Sequence, residues 1–223
     1  LPSLGWCDHA SKTTGRAGGT SFGGLAVRTR EEEGLAPATT LGVLRVQQNV
    51  LAESRVGVIA TAGDPLGRSG SFEVGADFTY QTSRFRGDKN FIAGAWGLVT
   101  GREDLGGDRT AFGFKVDYPN DLWDCYLTYR HVGDGFDPSL GFVPRRAINA
   151  YLAGCTFAPR PRGKFIRQMV HELYPSLVTD LGGRWESYRV FMAPVNWRLE
   201  SGDRFELNWA PAGERLSEPF EIA

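Results

Sequence analysis

The sequence predicts an antiparallel all-β fold, on three observations. Residues 71–80 place apolar side chains at every second position, with polar residues or glycine between them, and residues 111–118 repeat the pattern. A period of two indicates a strand with two different faces. Glycine supplies 29 of the 223 residues, about twice its usual share. Aromatic residues make up 12%, and together these features favour strands joined by tight turns over helices.

Turn signals between the alternating segments predict a meander of about ten or eleven strands. Clusters of glycine, proline, asparagine and aspartate separate the segments. The intervals suit successive hairpins rather than helical crossovers. Besides the two segments above, the predicted strands are residues 22–30, 41–50, 56–61, 91–100, 123–130, 148–157, 165–178, 184–192 and 204–210.

The positions of the charges along these strands favour the interpretation that the chain is part of an outer-membrane β-barrel. Alternation alone also fits a soluble β-sandwich, which wets one face of each strand. Here the polar face carries charges in mid-strand, such as Glu73, Asp77 and Lys115, as the wet lumen of a wide barrel permits. The apolar face is aromatic and ends in residues such as Tyr80 and Trp123, as interfacial girdles do. The sandwich stays open as the alternative.

Charge and hydropathy limit the partners. The formal net charge is -1, so the basic excess that neutralises nucleic-acid phosphates is lacking and nucleic acid is not expected as a partner. No stretch reaches the roughly 18 apolar residues of a transmembrane helix, and the N-terminus lacks a signal-peptide pattern. A strand needs only about 9 to 11 alternating residues to cross a bilayer. Membrane lipid is therefore the predicted partner.

Three cysteines, Cys7, Cys125 and Cys155, lie far apart in the sequence. They form neither a CxxC redox pair nor a zinc ligand set. We predict packed thiols, and a cross-link between one pair in an oxidising compartment is the open alternative. The chain contains only three histidines, and no metal site or cofactor is predicted.

The most specific segment runs from His131 to Arg146 and reads HVGDGFDPSLGFVPRR. It resembles the V-G-x-x-F-(N/D)-P-x-x-G-F-V-P-R segment of an uncharacterised C-terminal domain of large bacterial envelope proteins, which often carry an N-terminal family 9-like carbohydrate-binding module. Supporting similarities are NDLW at residues 120–123, PRP at 159–161 and GDRFE at 202–206, leading into residues 214–222. The resemblance covers residues 15–223.

The resemblance implies an outer-membrane β-barrel of a Gram-negative bacterium, with a role in handling glycans or other polymers at the cell surface. Carbohydrate is thus a second candidate partner, although the module itself is absent from this chain. The barrel domain is predicted over residues 15–223, and the chain ends predict that it is incomplete. Residues 1–14 match nothing in the family and are predicted to be irregular.

The long connection between two predicted strands is the best candidate site, because long connections often carry function. The candidate binding residues are His131, Asp134, Asp137, Arg145 and Arg146. Each guanidinium offers a planar fork of donors to carboxylates or phosphates. In the favoured alternative, the two arginines neutralise the nearby aspartates and fix the loop.

Nothing in the sequence predicts a catalytic residue. Residues 19–23 match G-x-S-x-G, but a nucleophile elbow needs a helix after it and a strand follows here. Glu206, Glu214 and Glu218 lie close in sequence and allow a hypothesis of glycoside hydrolysis by paired carboxylates. A carbohydrate-active domain and a soluble β-sandwich binding module are therefore the alternatives to the membrane barrel.

Overall fold

A computed structural model describes residues 7–34 and 36–215. In this part of the chain the antiparallel all-β prediction is confirmed. No helix there is both long and apolar enough to cross a membrane. The strands are β1 (Cys7–Ala17), β2 (Thr20–Thr29), β3 (Thr40–Val50), β4 (Ser54–Ala62), β5 (Phe72–Phe85), β6 (Lys89–Gly101), β7 (Thr110–Pro119), β8 (Trp123–Val132), β9 (Ile148–Phe157), β10 (Ile166–Met169), β11 (His171–Asp180), β12 (Trp185–Leu199), β13 (Arg204–Trp209) and β14 (Ala212–Glu214).

The strands form one hydrogen-bonded sheet with a meander order. The path runs from β1 to β9 in sequence, then through β11 and β12 to β10, while β13 and β14 also pair with β12. Short connections favour this order, because antiparallel neighbours can be joined by tight turns. The path is open among the described strands, so closure into a barrel stays a prediction.

Among the described residues there are fourteen strand segments, where the sequence predicts about ten or eleven strands. Each predicted strand is present, and residues 165–178 are divided into β10 and β11. β12 changes register between Met192 and Val195 in its pairing with β13. Pro194 lies at this irregularity, and proline has no N–H to give to a ladder. β1 and β14 are the other strands that the sequence does not predict.

The N-terminal segment differs from its prediction. Residues 7–14 belong to β1 rather than being irregular, and Thr13 and Thr14 pair with Gly24 and Gly23 of β2. Threonine suits a strand because its branched side chain packs well on a pleated surface. The predicted resemblance begins at residue 15, but strand pairing does not depend on it.

The chain divides into two compact units, and β5 to β8 contribute residues to both. Unit 1 contains the N-terminal strands and the long connection between β8 and β9. Unit 2 contains the C-terminal strands. Unit 1 is Leu1–Tyr80, Gly94–Gly113 and His131–Ala147, and unit 2 is Gln81–Ala93, Phe114–Arg130 and Ile148–Ala223.

The apolar face of the strands is the more exposed one. Four representative rings, those of Phe72, Phe78, Phe112 and Phe114, are 44%, 44%, 44% and 43% exposed. Along the first part of β5 every apolar residue is exposed and every intervening residue is half-buried. A sheet of a soluble protein has the opposite pattern, because it buries its apolar face against another layer.

One pair of charges on the polar face of unit 1 spans an intervening strand. The Arg45 guanidinium on β3 lies 2.5 Å from the Asp77 carboxylate on β5. The two side chains meet over Gly57 of β4, where a Cβ atom would lie 2.5 Å from the guanidinium and 2.8 Å from the carboxylate. A side chain at this position would require the two charged groups to shift, and a glycine in mid-strand leaves them room to meet.

Candidate functional site

The long connection, residues 133–147, is packed against the connection between β6 and β7 in unit 1. The Gly135 N–H donates to the Asp108 carbonyl at 2.9 Å, and the Gly133 N–H donates to the Thr110 carbonyl at 2.9 Å. A Cβ at Gly135 would collide with the Gly106 carbonyl. Phe136 is buried and anchors the connection. These backbone approaches explain why glycines recur in this segment.

Arg102 is the central buried charge of these connections, with a side chain only 3% exposed. Its Nε donates to Asp104 at 2.5 Å, and its terminal nitrogens donate to the Asp137 carboxylate at 2.8 Å, the Asp137 carbonyl at 3.1 Å and Ser139 Oγ at 3.2 Å. Burial lowers the pKa of Arg102, but the hydrogen bonds to Asp104 and Asp137 outweigh it and raise that pKa. The guanidinium therefore stays charged although it is out of water.

Asp64, in the connection between β4 and β5, is the buried anion of the same region, and its side chain is fully buried. It accepts hydrogen bonds from Arg68 Nε at 2.8 Å, the Leu66 N–H at 2.7 Å and Ser139 Oγ at 2.5 Å. Burial raises the pKa of Asp64, but these hydrogen bonds together lower it to about 2. We call Asp64, Arg68, Arg102, Asp137 and Ser139 the loop network.

His131 lies near the end of β8, next to the long connection. Its Nε2 is 2.9 Å from Asp108 Oδ2, and its ring stacks on Phe112 with centroids 4.7 Å apart. Asp108 also accepts hydrogen bonds from the Thr110 hydroxyl and N–H. The hydrogen bond with His131, followed by that from the Thr110 side chain, lowers the pKa of Asp108. This arrangement orients the imidazole at the start of the long connection.

The other candidate residues also make contacts within the protein. Asp134 accepts hydrogen bonds from the N–H groups of Asp108 and Gly135, at 2.7 and 3.0 Å. Arg146 is exposed and its guanidinium lies 3.7 Å from Asp137. Arg145 is half-buried. The contact between Arg146 and Asp137 agrees with the alternative in which the arginines neutralise nearby aspartates and fix the loop. A ligand-binding role of the five residues stays a prediction.

Comparison with protein-family models, curated proteins and solved structures finds no match to this chain. The resemblance to the envelope-protein domain therefore stays a prediction.

Sequence patterns do not predict four members of the loop network: Asp64, Arg68, Arg102 and Ser139. Ser139 lies 75 residues from Asp64 and 37 from Arg102 in sequence. Only the order of strands brings them together. The one local signal is the Gly-Asp-Pro turn at residues 63–65, which identifies the turn but not the partner of its aspartate.

The described residues do not assemble a nucleophile elbow or a metal centre. Ser21 of the G-x-S-x-G match lies within β2 and pairs with Arg16 and Gln47. Among the residues that the structure describes, no group of three or more His, Cys, Asp or Glu side chains could hold a metal ion. Glu206 is 2.5 Å from Arg204 in β13. Glu214 lies in β14, and Glu218 is outside the described residues.

The cysteines correct one expectation. Cys125 and Cys155 form a disulfide between β8 and β9, so they are not packed thiols, and Cys7 is free and half-buried. The two Cα atoms lie 4.0 Å apart because the strands are neighbours in the sheet. The pair is 30 residues apart in sequence and the long connection lies between them, so spacing alone does not reveal the pairing. The structure therefore agrees with the alternative in which one pair of cysteines is cross-linked.

Proposed function

We propose that this chain forms part of an outer-membrane β-barrel of a Gram-negative bacterium and docks polymers at the cell surface. The observation that carries the proposal is the inverted burial of the strands. The apolar face is exposed, while the polar face holds the paired charges. In a bilayer the exposed face meets lipid and the polar face meets water.

Energetics support lipid as the cover of the apolar face. Full burial of one large apolar side chain stabilises a protein by about 1.5 to 3 kcal/mol. Leu44, Val58 and Leu127 are exposed on the strands together with the four rings described above. All the described strands belong to one sheet, whereas a sandwich covers its apolar faces with a second sheet.

Rings at the strand ends of unit 2 support the same proposal. Trp123 begins β8 and stacks on Phe157, which ends β9, with centroids 4.4 Å apart. The Phe157 ring stacks in turn with His171, which begins β11. An amphipathic tryptophan ring at a strand end suits the boundary between hydrocarbon and headgroups. Tyr80 differs from the sequence expectation, since β5 continues to Phe85 and places it within the strand.

The loop network supports a docking role for the connections of unit 1. Docking is favoured when a binding surface is ordered before the ligand arrives, because less conformational entropy is lost. Arg102 and Asp64 are buried and hydrogen-bonded across three connections. Phe142 projects from the long connection and is 89% exposed, so this ordered segment presents an apolar ring.

The first test is the location of the full chain. We expect it to fractionate with the outer membrane when it is directed to the periplasm of a Gram-negative host. The detergent-extracted protein should migrate differently in gels before and after boiling. A monodisperse chain in buffer without detergent would contradict the proposal and support the soluble sandwich.

A pair of neighbouring substitutions in β8 tests which face meets lipid. Leu127 is exposed on the apolar face, and Thr128 is half-buried on the polar face. A lysine on the lipid face near the midplane costs about 2 to 4 kcal/mol. We therefore expect Leu127→Lys to reduce the folded, membrane-inserted fraction strongly and Thr128→Lys to reduce it far less, measured by gel migration. Equal losses would count against a lipid-facing Leu127.

A further inference from the structure

A row of three aromatic side chains crosses the polar face of unit 2. Tyr126 lies on β8, Tyr174 on β11 and Phe191 on β12. The ring centroids of Tyr126 and Tyr174 are 6.4 Å apart with 21° between the planes, and those of Tyr174 and Phe191 are 6.0 Å apart with 20°. Each residue is half-buried. We call these three residues the aromatic strip.

Gly154 of β9 makes the strip continuous. β9 lies between β8 and β11 in the sheet, so rings on those two strands can meet only above it. A Cβ at Gly154 would lie 2.5 Å from the Tyr174 ring and would also collide with the Tyr126 ring. Glycine here lets two rings approach across an intervening strand.

Hydrogen-bonding groups border the strip on one side. The Tyr174 hydroxyl lies 2.6 Å from the Thr156 hydroxyl and 3.3 Å from a Glu172 carboxylate oxygen. The other carboxylate oxygen accepts from Asn196 Nδ2 at 3.4 Å, and Asn196 Oδ1 accepts from Arg204 Nε at 3.0 Å. A hydroxyl, a carboxylate, an amide and a guanidinium thus follow one another beside the rings.

The two cations near the strip are each paired with a carboxylate. Lys115 Nζ lies 2.6 Å from Asp117 and 6.0 Å from the Tyr126 ring centroid. Arg204 lies 2.5 Å from Glu206. Because both cations are paired and the Glu172 carboxylate adds a negative charge beside the rings, the surface disfavours an anionic ligand and suits a neutral polar one.

We propose that the aromatic strip binds a neutral oligosaccharide. Pyranose rings present C–H-rich faces that pack against aromatic rings, and their hydroxyls bond to carboxylate, amide and hydroxyl groups. The strip and its polar border offer both kinds of contact. The inference deepens the proposed docking function and rests on it, because the polar face must be in contact with water.

The test uses the full chain in detergent micelles and calorimetric titration with maltohexaose, cellohexaose and N-acetylchitohexaose. We expect saturable binding of at least one hexasaccharide. Tyr174→Leu should weaken it about tenfold, close to the value of one aromatic contact. Phe191→Leu removes a ring without removing a hydrogen bond and should have a similar effect. Tyr188→Leu is the matched control, because Tyr188 lies on the opposite face of β12 and is exposed.

A Gly154→Ala variant keeps all three rings but displaces two of them, and it should also weaken binding. Failure of all three sugars to bind would overturn the inference, as would equal losses in Tyr174→Leu and the Tyr188→Leu control. Binding of a polyproline peptide without any sugar would overturn it too. If the chain inserts into the outer membrane but binds no sugar, only this inference is wrong. If the chain is soluble without detergent and binds sugar, the membrane proposal is wrong instead.

Discussion

Arg102 in unit 1 and Arg160 in unit 2 each pair with an aspartate of another connection, but their side chains are 3% and 55% exposed. Arg102 contacts Asp104, Asp137 and Ser139, whereas Arg160 contacts Asp121 at the surface. A buried charge must be compensated by several hydrogen bonds, while an exposed one is solvated in any case. The comparison indicates that the connections of unit 1 are built as one ordered body and that the surface pair in unit 2 is dispensable.

The largest expected effect follows the loss of the buried guanidinium. Arg102→Met keeps much of the side-chain volume but removes the charge and leaves the hydrogen-bonding groups of Asp137 and Ser139 without this donor. We expect it to lower the free energy of unfolding by about 3 kcal/mol, measured by chemical denaturation followed through tryptophan fluorescence. The free energy of unfolding of Arg102→Lys should lie between those of the parent and Arg102→Met, because lysine keeps the charge but lacks the planar fork. An Arg102→Met protein as stable as the parent would show that the loop network is not coupled to folding.

The next effect is a dependence of stability on pH through Asp64. Its pKa is about 2 in the folded protein, against an ordinary value of 3.8. Because the folded pKa is the lower one, the stabilisation is fully present above about pH 4 and is lost as the pH falls towards 2. The difference between these two pKa values corresponds to about 2 kcal/mol of stabilisation of the folded protein.

Asp64→Asn isolates this contribution from the other carboxylates. We expect the difference in free energy of unfolding between the parent and the variant to be greatest at neutral pH and to shrink below pH 4. Denaturation curves at several pH values measure it. A difference that stays constant down to pH 2.5 would contradict the lowered pKa of Asp64.

The smallest effect is expected at the exposed pair. Arg160→Met should leave the free energy of unfolding unchanged within the scatter of the measurement, because both partners are well solvated. It is the matched control for Arg102→Met under the same denaturation conditions. A loss comparable to that of Arg102→Met would remove the distinction between the two sets of connections.

Local pattern predicts the strands well but their ends less well. Residues 71–80 are predicted from alternation, and β5 is observed over Phe72–Phe85. The extension covers a run of polar residues without alternation, and it stops at a turn in which Arg86 and Gly87 have φ values of 51° and 105°. Pairing with a neighbour, rather than the strand's own pattern, maintains those last residues in the sheet.

The candidate site is less accessible to sequence reasoning. The segment containing His131, Asp134 and Asp137 stands out as a long connection, and the structure places all three in hydrogen bonds. Their main partners, Asp108 and Arg102, lie 23 and 35 residues away from His131 and Asp137 respectively. The choice of partner depends on strand order and register, which no local pattern encodes.

The central claim is that lipid covers the apolar face of the strands, and spin labels at adjacent residues of β5 test it most directly. In a Cys7→Ser background reconstituted in vesicles, labels are attached to Phe78→Cys and Thr79→Cys, because Phe78 is exposed on the apolar face and Thr79 is half-buried on the other. We predict that the label at 78 collides mainly with molecular oxygen dissolved in the bilayer and the label at 79 mainly with a water-soluble nickel complex. Equal access of the nickel complex to both labels would contradict the account.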